Sequence, residues 1–347
     1  MIQRLKRILP YFGYGAFYLV VFFFACYLTF PYGRLRDRIQ AEFAADQKGR
    51  PSNQRLEIEE LEPHFFTGVR AKGVKVTMAA PPKVGEPDPP TEIEIEELRA
   101  RVGIFARLFG KTKVSFFARA FGGEIEGSFA DSATERKIEV DLTDVSVTRI
   151  GPLVAMVGLP MYGALKGHVD LTFPDKRASK GEGSVKLTLA DLAVGDGKAK
   201  LKGALALPRM NVGELTLDAD VAGGVVKLNK MGASGGDLEV AGEGKVQLRD
   251  QPSESSTDLY LRFKFSDAYK GRNDTTKSLF GAPGSTAPAL FELDPSIKSS
   301  KRADGFYGFH MTGMLGTPKF EPFSGSAPGS TSPASSIRSP LAPRIAK

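Results

Sequence analysis

Sulfur and imidazole are scarce in this sequence, with one cysteine, Cys26, and three histidines in 347 residues. A single cysteine excludes an internal disulfide and any multi-cysteine zinc site. The histidines, His64, His168 and His310, stand far apart, with no second histidine or cysteine at metal-ligand spacing. Tryptophan is absent. Positive charge is also missing where a nucleic-acid binder needs it. The net charge is +7, but residues 1–38 carry +5 of it and residues 324–347 carry +3, which leaves −1 for residues 39–323. That central region has no basic surplus from which to build a phosphate-binding face, so nucleic acid is excluded as a partner.

Signatures of catalysis are thin as well. Gly181-Glu182-Gly183 and Gly242-Glu243-Gly244 lack the further glycines, lysine and hydroxyl of phosphate loops. Glu92, Glu94 and Glu96 alternate with Ile93 and Ile95. They share one face of a strand, as the charged outer side of an amphipathic strand or, alternatively, as a carboxylate pair for acid–base work. Asn273-Asp274-Thr275 matches a glycosylation sequon, a pattern short enough to arise by chance. The expectation is a non-enzyme without catalytic residues, metal or cofactor.

What is present begins with Tyr11–Phe30, an uncharged run of 20 residues. As a helix it would be ~30 Å long, the thickness of a bilayer's hydrocarbon core. Aromatic residues cluster at its start (Tyr11, Phe12, Tyr14) and near its end (Tyr27, Phe30), as at headgroup level. The run exceeds a signal-peptide core and no clean cleavage site follows, so it reads as an uncleaved single-pass anchor. Arg4, Lys6 and Arg7 before it nearly balance Arg34, Arg36 and Arg38 after it. Asp37 and the free amino terminus tip the orientation to N-terminus inside. In a bacterium the main domain then lies in the periplasm, tethered to the inner membrane.

Beyond the anchor, apolar residues at 35, 39 and 43 predict a short amphipathic helix over Arg34–Gln47, ended by Pro51. Alternation at period two then dominates: Lys137–Thr143, Ser184–Leu189, Leu215–Val221 and Asp258–Phe265 each place apolar residues on one side. Gly122-Gly123, Gly223-Gly224, Gly235-Gly236 and Pro208 mark the turns. Short apolar pieces at Gly103–Gly110, Ile150–Pro160 and Thr276–Gly281 interrupt the strands in a loose threefold repetition. Gly85–Pro90 is a loop tip. In Gly305–Pro322, Tyr307, Phe309, Met311 and Leu315 share a face, and the segment reads as the last strand. The histidines read as solvated positions, His168 and His310 on polar strand faces and His64 in a turn.

The division expected is a cytoplasmic stub and anchor (1–33), a juxtamembrane helix (34–50), a periplasmic β-rich domain (51–323) and a disordered Ser/Pro-rich tail (324–347). The fold class is mainly β, a large curved antiparallel sheet, partly open, with a few short helices. Its apolar side needs a cover, and the three apolar pieces are few for so much sheet. Either the sheet closes on itself or an apolar groove stays open. The candidate groove or partner face takes Leu187, Leu189, Leu215 and Leu217 from two strands, and Leu261, Phe263, Phe265 and Phe309 from two more.

Residues 214–250 (ELTLDADVAGGVVKLNKMGASGGDLEVAGEGKVQLRD), 259–269 (LYLRFKFSDAY) and 304–322 (DGFYGFHMTGMLGTPKFEP) together resemble the type II secretion system protein N (GspN) family. Residues 94–129 fit the same arrangement of strand, apolar piece, strand. The likeness spans roughly residues 1–323. The closing strand with its Gly-Thr-Pro more distantly resembles AsmA-like proteins, whose sheets form lipid-holding grooves. The resemblance implies a non-enzymatic inner-membrane component that assists export of folded proteins, with other secretion subunits, inner-membrane or secretin, as partners. The AsmA-like alternative implies binding or transfer of lipid, phospholipid or lipopolysaccharide, along an apolar β-groove.

Overall fold

The computed structural model describes residues 14–15, 17–22, 24–25, 27, 29–45, 54–65, 67–78, 91–103, 110–151, 159–198, 200–201, 205–234, 236–281 and 289–325. The loop tip at 85–90, most of the apolar piece at 103–110, residues 152–158 of the second piece and all but the first two residues of the Ser/Pro tail lie outside the described residues.

Fourteen strands form one antiparallel sheet, each beside its predecessor. They are β1 (Gln54–His64), β2 (Gly68–Met78), β3 (Thr91–Val102), β4 (Thr112–Ala120), β5 (Gly123–Asp131), β6 (Glu135–Ser146), β7 (Met161–Pro174) and β8 (Glu182–Val194). A two-stranded hairpin, β9 (Lys200–Leu201) and β10 (Leu205–Ala206), stands apart. The sheet resumes with β11 (Met210–Ala222), β12 (Val225–Ala233), β13 (Leu238–Gln247), β14 (Ser256–Phe265), β15 (Tyr307–Met314) and β16 (Thr317–Pro322). β1 and β16 pair on one side only, so the sheet is open rather than a barrel. Gly122, Gly223, Gly224, Gly236 and Pro208 fall at strand connections, Gly123 opens β5, and Gly235 lies outside the described residues. The C-terminal segment is a hairpin rather than one strand: Gly313 takes φ +91°, the chain turns through Leu315-Gly316, and Leu315 leaves the face it was expected to share. His64 closes β1 instead of sitting in the turn.

Strict alternation slips along one line across the sheet. In β6, Asp144 at φ +53° lets Leu142 and Val145 face the same way; Asp191 (φ +52°) in β8 and Gly213 (φ +81°) in β11 do the same for Leu189 and Leu192, and for Val212 and Leu215. These neighbouring bulges re-aim the strand ends. Val147, Met161, Leu192, Val212 and Ala233 thereby meet in a buried cluster.

Two further clusters close the ends of the sheet. At the first, α1 (Tyr32–Ala44) packs on β1, with Ile39 against Ile58, Ala71 and Val74. At the other, the connection between β14 and β15 folds over the sheet as α2 (Asp267–Lys270), α3 (Asp274–Phe280), a single turn at Leu290–Leu293 and α4 (Pro295–Ser300). Tyr269, Leu279, Phe280 and Phe291 from this cover bury Phe265 and Tyr307. The Phe265 and Phe280 rings lie 4.2 Å apart. Asn273 starts α3 by capping: its side-chain oxygen accepts from the Thr276 backbone N–H at 2.8 Å, and the Asn273 backbone N–H donates to the Thr276 hydroxyl oxygen at 3.0 Å. The sequon asparagine is thus committed to a helix cap.

Among the described residues, no helix is long and apolar enough to cross a membrane. Several positions of the expected anchor (11–13, 16, 23, 26 and 28) are outside the described set, and those described between Tyr14 and Thr29 are helical.

Candidate functional site: the apolar face of the sheet

Cross-strand partners share a face, so the register decides what the sheet presents. From β6 onward the pairs read Ile138↔Leu171, Val140↔Val169, Val169↔Val185, Leu187↔Leu217 and Leu189↔Leu215. At the far end they read Val240↔Phe263, Leu261↔Phe309 and Met311↔Phe320. On the other side, Ile58↔Val74, Val74↔Ile95 and Leu98↔Ala118 extend the same face back to β1. The outcome is one apolar ladder across all fourteen strands. At ~4.8 Å per strand it is on the order of 60 Å long.

All eight residues expected to line a groove lie on this face, but their surroundings differ. Phe265 is buried under the helical cover, and Phe263 and Phe309 pack against that cluster. Leu189 and Leu215 border the bulge cluster. Leu187, Leu217 and Leu261 sit farther along their strands and are only half-buried. The widest half-buried stretch lies in strands that the expectation omitted: Phe116, Phe129, Ile138, Val140, Val169 and Leu171 on β4–β7. Their alternation was visible, yet nothing in it distinguishes a covered strand from an open one. Large side chains there lean over glycines and level the surface. A methyl group at Gly127 would stand 2.5 Å from the Phe116 ring, and one at Gly167 2.5 Å from Leu187.

The reverse face is charged. Lys166 pairs with Asp144 at 3.0 Å, Lys137 with Asp170 at 3.2 Å, and His168 Nδ1 meets Asp141 at 2.7 Å. Such exposed pairs hold the face in water and add little stability. Glu97 is the exception. It is buried, accepts from Arg99 at 2.5 Å and from Arg70, and these bonds bring its carboxyl down to about 2. His310 stacks on Tyr260 at 4.2 Å with Nε2 at 2.8 Å from Asp258. Beneath the cover, the Tyr307 hydroxyl donates to Glu292 at 2.7 Å and the Tyr269 hydroxyl to the Pro208 carbonyl at 2.7 Å. Burial pushes Tyr269 up to about 12 and raises Tyr307 too.

No family model, curated protein or solved structure matches the chain. What the face can do is therefore argued from its chemistry.

Glu94 and Glu96 stand at the surface with Lys75 at 3.7 Å and Arg149 at 3.8 Å respectively. Among the described residues, no group of three or more His, Cys, Asp or Glu could hold a metal ion. The sequence reading that Gly-x-Ser-x-Gly is absent is incorrect: Gly232–Gly236, GASGG, has the letters of a nucleophile elbow. Its Ser234 is exposed between two strands, β12 and β13, whereas the elbow requires a strand running into a helix.

Both sheet edges are obstructed. Arg36 of α1 donates to the Glu59 carbonyl of β1 at 3.3 Å. On β16, Phe323 donates to the Gly308 carbonyl at 2.9 Å, which turns odd-numbered residues towards β15 and even-numbered ones outward. Two of the three outward positions, Pro318 and Pro322, have no N–H to offer.

Proposed function

We propose that this protein is a membrane-tethered, non-enzymatic binder of acyl chains, which lie across the half-buried middle of the apolar face. The observation that carries this reading is the apolar ladder from β1 to β16, in which Asp131, Arg136 and Thr257 share the face only near strand ends. A long apolar stripe without polar anchors suits a hydrocarbon chain, which needs area and no hydrogen bonds. The obstructed edges disfavour an added β-strand as occupant. The tether is the helical run around Tyr14–Thr29, whose Tyr14, Phe17, Tyr18 and Phe22 are exposed and would be solvated by lipid. The ladder starts at the β1 end, against α1, and so begins at the membrane. In the bacterial setting that the resemblance implies, the amino terminus is cytoplasmic and the sheet periplasmic, and phospholipid or lipopolysaccharide supplies the chain.

The GspN resemblance supports a second assignment that does not conflict with the first, as an accessory of the type II secretion machine. Partners in that machine would meet a face of the sheet rather than its edges.

Native mass spectrometry of the full chain in mild detergent, with lipid extraction of the same sample, tests the binding reading. Near-unit occupancy by phospholipid or lipopolysaccharide is expected, with loss in Val169→Asp and Leu187→Asp variants whose circular dichroism is unchanged. A folded, lipid-free wild type would remove it.

A further inference from the structure

The charged reverse face holds a cavity of about 490 Å³ over β3–β6. Two register rows form its floor. One runs Arg99↔Phe117↔Glu126↔Asp141 and the other Arg101↔Ser115↔Ser128↔Glu139. Each row therefore begins with an arginine, crosses an aromatic or hydroxyl position, and ends in carboxylates.

The charges at the two ends are not spent on each other. Arg99 is held by Glu97, outside the cavity, but among the described residues Arg101 has no carboxylate within ion-pair reach; its guanidinium lies 5.8 Å from the Phe65 ring. At the other end Glu126 faces Asp141 directly across the ladder, a repulsive placement. Glu139 shares that face two residues away. Asp141 has His168, while Glu126 and Glu139 have no cation within ion-pair reach among the described residues. The strip is thus positive at one end and negative at the other, with Arg101, Glu126 and Glu139 left without an ion-pair partner among the described residues.

The mouth is shaped by the β1–β2 turn. Phe65 takes φ +53°, a conformation that is strained for a bulky residue, and remains 65% exposed beside the His64 ring. Its ring packs edge-on against His64 and lies beside the Arg101 guanidinium at the rim of the cavity.

We propose that this cavity binds a small zwitterion, with its ammonium among Glu126, Glu139 and Asp141 and its oxyanion at Arg101, over the Ser115 and Ser128 hydroxyls. Three strand spacings separate the Arg101 and Glu139 backbones by ~14 Å, so a ligand met by both side chains from opposite ends would carry its charges on the order of 5 Å apart. O-Phosphoethanolamine and glycylglycine have such a separation, with phosphate and carboxylate as the respective oxyanion. The site is on the opposite side of the sheet from the acyl-chain face and stands independently of that reading.

Calorimetric titration of the full chain in a non-ionic detergent tests it, with both zwitterions and, separately, ethylamine and inorganic phosphate. At least one zwitterion should bind about tenfold or more tighter than either half-probe. A preference for phosphoethanolamine assigns a phosphate ligand, and one for glycylglycine a peptide-like ligand. Arg101→Gln and Glu139→Gln should each weaken it by about tenfold, with Lys166→Gln, outside the cavity, as the unchanged control. Zwitterions no tighter than their halves would overturn the proposal, as would unchanged affinity in both variants. The half-probe comparison uses wild type alone, so it decides the matter even if a variant fails to fold.

Discussion

Two parts of one face have opposite fates. At the β14–β15 end, Phe265 and Tyr307 lie beneath α2, α3 and α4 in a mesh of aromatic rings. On β6 and β7, Ile138, Val140, Val169 and Leu171 continue the same ladder and are only half-buried. Sequence alternation is equally clean in both. The difference lies in what the connections between strands can reach: the described helices α2, α3 and α4 of the long β14–β15 connection fold back over the sheet, whereas the β5–β6 turn (132–134) and the β7–β8 connection (175–181), at one end of β6 and β7, are short and polar. The most deeply covered aromatic residues thus lie under the longest connection.

The sharpest way to break that comparison is to truncate both sides. Phe265→Ala should cost about 3–5 kcal/mol, because the rigid aromatic cluster cannot collapse into the space. Leu171→Ala should cost less, about 2 kcal/mol, since part of its side chain stays in contact with water and its surroundings can relax. Denaturant titration of the two variants checks this, and equal losses would mean that the middle of the face is as buried as its end.

A smaller effect is expected from the lid's own scaffolding. Asn273→Ala removes the cap that starts α3 and should lower stability by about 1 kcal/mol, with Asn273→Asp restoring most of it. Thermal melts of the two would show whether the cover depends on this cap.

The smallest effect separates the charged face from the apolar one. Glu97, held by Arg99 and Arg70, has a carboxyl brought from the ordinary 4.5 down to about 2. A depressed carboxyl contributes stability that is complete above 4.5 and is lost as pH falls through the folded value near 2. Stability should therefore decline over that acid window, and Glu97→Gln should flatten the decline. A variant with the wild-type slope would show that other carboxylates govern it.

How much of this was legible beforehand follows from the range of each signal. Alternation at Leu187 and Leu217 needs only neighbours in sequence, so the strands and their common face could be read directly. The bulges at Asp191 and Gly213 break that period locally, and an aspartate in the left-handed region leaves no mark that distinguishes it from any polar position. A turn at Gly316-Thr317-Pro318 was legible in the C-terminal segment, but not that the short piece after it pairs back on β15 as a strand of its own, β16. The cover over Phe265 depends on tertiary packing of α2–α4, and the cavity on the reverse face on a register that sets Arg101 beside Ser115 with Phe65 at its rim. Neither has a short-range signature. The openness of the face, the point on which the function rests, was therefore left undecided by sequence between a closed core and a groove.

One measurement addresses that point most directly. A photo-activatable amino acid placed at Leu171, and in a second variant at Phe265, would be irradiated in native membranes with the full chain in place. The account predicts lipid adducts from position 171 and crosslinks confined to this chain from position 265. Intrachain crosslinks alone from both positions would show that the middle of the face is covered by the protein itself, and would contradict it.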